Sequence, residues 1–241
     1  MDLALRAIAD ADDAPPLSRY IERHATAAEV REFFMHRSAY QLKEADPHSF
    51  AIPRLTGAAK VAAVEIQADE YGGGHFDRMH ATLFAKTLRG AGLDDTYGAY
   101  LDRLPGITLA TVNLMSLFGL HRRYRGAAAG HLALFEMVSS VPSGRYARGL
   151  RRLGFADDVC DFFDEHVVAD AVHEQIAAVD LAGGIARQEP ELAADVLWGA
   201  RALSHVEARW ARHLMQAWDA GVSSLRAAPA APGAHPVGSA P

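Results

Sequence analysis

The segment DEYGGGHFDRMH, residues 69–80, places three consecutive glycines between two stretches of helical character. Both the preceding AAKVAAVEIQA and the following ATLFAKTLRG are typical of helices. Each glycine inside a helix costs about 1 kcal/mol relative to alanine, so three together predict an interruption. In an unbroken helix Glu70 and His80 would point about 80° apart, whereas a glycine break could re-aim both side chains toward one point. The alternative is an ordinary loop between two helices.

Outside this segment, apolar residues recur with a helical period along almost the whole chain, and hardly any stretch alternates as a strand does. This pattern predicts an all-α protein with long antiparallel helices in one domain, residues 1–225. The Pro- and Ala-rich segment 226–241 cannot bury a core and is predicted to be disordered. The predicted helices cover residues 16–23, 27–45, 54–72, 76–91, 94–102, 107–121, 126–140, 143–152, 156–181 and 189–219.

The composition argues against several classes of function. A formal net charge of −6 with only local arginine patches makes nucleic acid an unexpected partner. No stretch approaches the roughly 18 apolar residues of a membrane span, and the N-terminus lacks the pattern of a signal peptide. Cys160 is the only cysteine, which excludes an internal disulfide and a cysteine-based metal site. We therefore expect a cytoplasmic protein without a membrane partner.

The clearest candidate site is the segment HVVADAVHE, which places His166, Asp170 and His173 in one predicted helix. The spacing puts the three side chains within about 60° of one another around the helix axis. Imidazole and carboxylate groups that converge in this way suit Fe, Mn or Zn better than Mg or Ca. The alternative is a solvated helix face with two surface histidines.

Two further acids are candidates. Glu136 follows apolar residues in GHLALFEMVSS, and a buried glutamate needs a partner such as a metal ion, although this residue could equally face water. Glu44 lies in SAYQLKEADPHSF, near the end of the predicted helix 27–45. Lys43 beside it favours a solvated face.

Other conspicuous residues have ordinary explanations. Arg145 and Arg148 could bind a substrate carboxylate, yet two arginines three residues apart on a helix are usually solvated. His205 and Glu207 could contact the metal ligands from outside, but they are expected on a helix surface. The three tryptophans either pack in the core or form a dimer face, so a homodimer stays open.

The segment EIQADEYGGG…RMH, together with the acids at 44 and 136 and the segment HVVADAVH, resembles the haem-oxygenase-like diiron oxidases. The resemblance covers roughly residues 25–215 and depends on the spacing of all these motifs together. It implies a haem-oxygenase-like helical bundle that binds two non-haem irons. A ferritin-like diiron protein would instead need two Glu-x-x-His motifs, which the sequence lacks.

The resemblance also implies a set of metal ligands, which are Glu44, Glu70, His80, Glu136, His166, Asp170 and His173. One iron would take Glu44, His80 and His173. The other would take Glu136, His166 and Asp170, with Glu136 able to bridge. Glu70 matches the additional carboxylate of members that oxygenate amines, and it is therefore the predicted catalytic residue.

The implied cofactors are two Fe ions, cycling between Fe(II) and Fe(III), with O2 as co-substrate and an external electron donor. The predicted enzyme is a non-haem diiron oxygenase or oxidase that N-oxygenates a small amine or amino-acid-like metabolite in natural-product biosynthesis. The alternative is C–H activation with oxidative C–C cleavage, desaturation or cyclisation of an amino or fatty acid. A metal-binding structural or chaperone-like protein without turnover is the third interpretation.

Overall fold

Helices supply all the regular secondary structure in the part of the chain that the computed structural model describes, residues 1–227 without the side chain of Ala171. No strand occurs in these residues, so the predicted all-α class is confirmed. The predicted tail falls outside the described residues from 228 onward. The helices are α1 (Asp2–Asp10), α2 (Leu17–Arg23), α3 (Ala27–Gln41), α4 (Asp46–Ser49), α5 (Gly57–Glu70), α6 (His80–Gly90), α7 (Gly106–Leu120), α8 (Arg125–Arg152), α9 (Asp157–Gln175), α10 (Gly183–Gln188) and α11 (Ala193–Asp219), with a π-helical segment Ile176–Ala182 between α9 and α10.

The longest helix, α8, packs against α2, α9 and α11. Glycines allow α8 and α11 to meet backbone to backbone. A Cβ at Gly130 would lie 1.8 Å from the carbonyl oxygen of Val196, and one at Gly199 would lie 2.0 Å from that of Ala127. This close approach fixes the position of α8, which carries one of the candidate ligands.

Several details of the predicted helices were wrong, and α4 and α10 were not predicted at all. The break predicted between 126–140 and 143–152 is absent, because α8 runs through Pro142. Packing against α9 and α11 offsets the backbone hydrogen bond that this proline cannot donate. Residues 94–100 form loop and turns, and only a short 3₁₀ helix, Leu101–Arg103, follows instead of an α-helix. Gly98 has a φ of +87° that no right-handed helix accommodates. The helix α1 was not predicted, although it buries Leu5 in the core.

The predicted interruption at the glycines is confirmed. The helix α5 ends at Glu70 and α6 begins at His80, so the two residues occupy the ends of separate helices. Gly72 has a φ of +70°, and a Cβ there would lie 2.6 Å from the backbone nitrogen of Met79. The glycine therefore allows the chain to fold back tightly against the residue that precedes α6.

Two large apolar clusters surround the candidate site. One contains most of the buried aromatic rings, including Phe84, Phe162 and Trp210. The other is mainly aliphatic and includes Ile66 and Leu132. Within residues 1–227, none of the helices is both long and apolar enough to cross a membrane.

Candidate metal centre

Six of the seven predicted ligands form two adjoining groups of buried side chains. In each group, one ligand atom from every member lies within 4.8 Å of the others. The first group consists of Glu44, Glu70, His80 and His166, and the second of Glu70, Glu136 and His173. Glu70 belongs to both groups, so they meet at its carboxylate.

This grouping differs from the division that the resemblance implied. His166 lies with Glu44 rather than with Glu136, since its Nε2 is 3.4 Å from Glu44 Oε1. Glu136 lies beside His173 instead, with 3.3 Å between its Oε2 and the histidine Nδ1. Glu70, expected to be an additional carboxylate, is therefore the shared one, and Glu136 is confined to one group.

Asp170 is buried on α9, one turn after His166, but joins neither group. Its Oδ2 accepts a hydrogen bond of 2.5 Å from the hydroxyl of Ser139 on α8. Asp170 and His166 line the same cavity. Asp170 therefore lies at the edge of the cluster, within reach of whatever occupies the cavity.

Hydrogen bonds donated by one ring nitrogen decide which side of each of two histidines faces the cluster. Nδ1 of His166 donates to the carbonyl oxygen of Phe162 at 2.7 Å, which leaves Nε2 facing Glu44. Nε2 of His173 lies 3.1 Å from Oδ2 of Asp69 and donates to it, so Nδ1 faces the second group. In metal sites such outer partners orient the ligating imidazole. Asp69 was not predicted from the sequence, although it lies beside Glu70.

Four buried side-chain atoms of the cluster have no hydrogen-bond partner in the described part of the chain. They are Glu44 Oε2, Glu70 Oε2, His80 Nδ1 and His173 Nδ1. Two of them, His80 Nδ1 and Glu70 Oε2, lie only 2.9 Å apart. Each unpaired buried polar atom costs about 1–3 kcal/mol, so a concentration of four needs an explanation. Metal ions bound by these atoms would supply it, and the mixture of imidazole and carboxylate fits iron.

The sequence model of the iron-containing redox enzyme family matches residues 31–208. The chain belongs to the iron-containing redox enzyme family. Because this match covers most of the chain, the resemblance seen in the sequence is confirmed.

Two individual proteins are similar to this chain, one in sequence and the other in fold. Nitrosourea synthase from Streptomyces achromogenes subsp. streptozoticus is 31% identical over 141 residues, which is 56% of this chain and 29% of that protein. The chain thus spans less than a third of that relative. The crystal structure of a CADD-like protein of unknown function from Nostoc punctiforme superimposes with a TM-score of 0.66 and 16% identity, covering 89% of this chain and 98% of that one. This likeness shows that the redox enzyme has a haem-oxygenase-like fold.

Burial and neighbouring charges shift the pKa values of the candidate metal ligands. Burial raises the pKa of Glu136 to about 7. Burial opposes a charged ring at His173, but the carboxylate of Glu136 outweighs it and raises the pKa of His173 to about 9. At His166 burial is likewise outweighed, by Glu44, and the pKa lies well above its ordinary value. In the absence of metal these groups therefore hold protons that a bound cation would displace.

A cavity of about 350 Å³ opens onto the cluster of this redox enzyme. Four candidate carboxylate ligands and one histidine contribute to its lining, namely Glu44, Glu70, Glu136, Asp170 and His166. Much of the remaining lining is aromatic or aliphatic, as shown by Tyr40, Leu132, Phe135, Phe162 and Phe163. The cavity therefore gives a small organic molecule a largely apolar route to the candidate ligands.

The same cavity is lined by a partly buried ion pair that the sequence did not reveal. Nη2 of Arg37 on α3 lies 2.8 Å from Oε2 of Glu207 on α11. The guanidinium also lies 3.9 Å from the centre of the Trp210 ring. Glu207 was expected on a helix surface, and no local spacing connects two residues that are so far apart in sequence.

Proposed function

We propose that this protein is a non-haem diiron, O2-dependent oxygenase or oxidase. The observation that carries the proposal is the convergence of four unpaired buried ligand atoms on two adjoining groups. The proposed ligands are Glu44, Glu70, His80, Glu136, His166, Asp170 and His173. Two iron ions, when bound, would supply the reduction and activation of O2. The electrons would come from an external donor.

The residues of the chain hold and shield the proposed site. Glu70 joins the two groups, so its carboxylate sets their separation. The carbonyl of Phe162 and the carboxylate of Asp69 fix the two histidines of α9. The aromatic side chains of Phe135 and Phe162 give the cavity apolar walls, and a less polar surrounding strengthens electrostatic interactions within the site.

The proposed substrate is a small amine or amino-acid-like metabolite that is oxygenated at nitrogen, as a step in natural-product biosynthesis. Nitrosourea synthase, the 31% identical relative, is named for a product with oxidised nitrogen, which supports this choice. Carboxylates on the cavity wall support it as well. Glu44 and Asp170 face the cavity and are able to accept hydrogen bonds from an amine.

A second candidate is C–H activation with C–C cleavage, desaturation or cyclisation of an amino or fatty acid. The apolar lining favours it, because Tyr40, Phe135 and Phe162 would accommodate an alkyl chain next to the carboxylates. The two candidates differ in their products. N-oxygenation adds oxygen to nitrogen, whereas the alternative removes hydrogen or shortens the carbon chain.

One experiment tests both the metal content and the reaction. The full chain is loaded anaerobically with Fe(II), analysed for bound iron, and then exposed to O2 with primary amines, amino acids or medium-chain fatty acids. We expect about two irons per chain and an amine product that contains one added oxygen, measured by mass spectrometry with ¹⁸O2. Binding of no more than one iron would contradict the diiron proposal. Labelled or shortened products from fatty acids alone would establish the second candidate.

Replacement of Asp69 by alanine is expected to weaken metal binding by roughly 10- to 100-fold, the usual cost of losing an outer partner of a metal ligand. The reason is that the ring of His173 loses the acceptor for its Nε2 proton. Asparagine at 69 still offers an acceptor oxygen, so its effect should be smaller. Competition with a chromophoric chelator measures the affinity.

Glu65→Ala is the matched control for this experiment. Glu65 is an exposed acid one turn earlier on α5, and it makes no side-chain hydrogen bond to the described residues. Its replacement should leave metal affinity unchanged. Equal affinities for Asp69→Ala and Glu65→Ala would show that Asp69 does not orient His173.

A further inference from the structure

Arg145 is a positively charged residue of the cavity wall that forms no salt bridge with a carboxylate of residues 1–227, although it contributes to the lowered pKa of Glu22. Its Nη1 donates a hydrogen bond of 3.2 Å to the hydroxyl of Ser18, which also lines the cavity. The described residues provide no salt bridge to this guanidinium. Arg37, another arginine on the wall, is in contrast fully engaged by Glu207. Arg145 therefore retains hydrogen-bonding capacity for an anion.

Arg148, on the same helix, differs from Arg145 because a carboxylate of the protein pairs with it. Its Nε donates to Oε1 of Glu22 at 2.6 Å. Its side chain is 59% exposed, and the described cavity lining does not include it. The two arginines are three residues apart, yet they differ in both pairing and surroundings. Only one of the two faces the space that a substrate would occupy.

Acidic side chains and Arg145 line different parts of the cavity wall. The cluster contributes four acidic side chains to the wall, which would repel a free carboxylate of a substrate before metal neutralises them. Asp12 is a further acid of the wall, and its Oδ1 accepts hydrogen bonds from the backbone nitrogen of Ala14 and the hydroxyl of Ser204. Arg145 and Ser18 therefore form the part of the wall that attracts an anion. A guanidinium fits a carboxylate with two parallel hydrogen bonds.

The distance between Arg145 and the cluster bears on the length of the substrate. Glu136 and Arg145 both lie on α8, nine positions apart, so their Cα atoms are separated by about 13.5 Å along the helix axis and their side chains leave it on opposite sides. A molecule that reaches both the arginine and the metal ligands must separate its carboxylate from its reacting atom by several bonds. The α-nitrogen of an amino acid lies too close to the carboxylate to meet this requirement.

We propose that Arg145, assisted by Ser18, binds the carboxylate of the substrate. The substrate class is a linear amino acid whose reacting group is distal to that carboxylate. This assignment rests on the proposed function, because it orients the substrate of the same site. The negative charge is held at the arginine and the distal amine is directed toward the cluster.

Binding measurements on the full chain test the assignment without turnover. The protein is loaded with Fe(II) under anaerobic conditions and titrated calorimetrically with 6-aminohexanoate and with 6-aminohexanamide, which has the same chain and amine but no carboxylate. We expect the acid to bind more tightly by roughly 10-fold or more, as a charge-assisted pair provides. Arg145→Gln should abolish the preference, and Arg145→Lys should retain part of it because the charge remains.

Arg148→Gln is the control, and it should keep the wild-type preference. Thermal melts of all variants separate loss of binding from loss of folding. Equal affinity for acid and amide in the wild type, wild-type preference in Arg145→Gln, or no binding of either ligand would each overturn the assignment. A preference for the acid without any oxygenated product would leave the carboxylate site standing and reject the proposed reaction. Oxygenation of the amide as readily as of the acid would support the proposed reaction and reject the carboxylate site at Arg145.

Discussion

Replacement of Glu70 by glutamine is expected to reduce bound iron from about two ions per chain to fewer than one. The carboxylate of Glu70 is shared by both groups, so its loss removes a ligand from each. Even outer partners of metal ligands are worth about 10- to 100-fold in affinity, so a shared direct ligand should cost more than about 100-fold. Metal analysis after anaerobic loading and desalting measures the stoichiometry.

Glu44→Gln and Glu136→Gln are the matched comparisons. Each of these residues belongs to one group only, so each variant should keep about one iron in the other group. Circular dichroism confirms that all three variants remain helical. If Glu70→Gln retains as much iron as Glu44→Gln, then Glu70 is not the shared ligand, and the additional role that the sequence suggested for it becomes the better explanation.

Gly72→Ala is expected to destabilise the metal-free protein by roughly 2–5 kcal/mol. About 1–2 kcal/mol arises from a positive φ at a non-glycine residue, and about 1–3 kcal/mol from overpacking. The added Cβ would lie 2.6 Å from Met79 N and 2.7 Å from the carbonyl carbon of Arg78, and backbone atoms cannot rotate away as a side chain does. The chain must shift just before His80, so metal affinity should fall as well. Urea unfolding and chelator competition measure the two effects.

Gly74→Ala separates these two contributions. Gly74 has a φ of +84°, but a Cβ there would meet no described atom within 4 Å. This variant should therefore lose only about 1–2 kcal/mol and should keep its metal affinity. Equal destabilisation by the two substitutions would mean that the contact with the backbone of residues 78 and 79 is relieved without cost.

Local patterns predicted those parts of the site that depend on one segment. The spacing of His166 and His173 in a helix, and the glycine break before His80, needed only helix geometry and the conformational preferences of glycine. Helix geometry does not predict that the turn after α3, which carries Glu44, lies next to α9. The contact between Glu44 and His166 and the central place of Glu70 follow from tertiary packing, and so the division into two groups could not be derived from the sequence.

For the fold as well, local patterns were predictable and long-range packing was not. The helical period predicted the all-α class, because it is repeated in nearly every segment. It did not predict that α8 continues through Pro142, since the compensating packing comes from helices that are distant in sequence. The pairing of Arg37 with Glu207 is likewise a long-range event. Seven candidate ligands were named from the resemblance, and their roles stay predictions until metal binding is measured.

The placement of Glu70 and His80 at two helix ends has a consequence for the exchange of iron with the cell. Nearly all residues of the connecting segment 71–79 are at least partly exposed, so this segment contributes little to the core. Segments of this kind open locally at a small fraction of the free energy of global unfolding. Such an opening would withdraw His80 while Glu136, His166 and His173 stay on their helices. Iron could then enter and leave through a folded protein, at a rate set by three glycines rather than by the stability of the bundle.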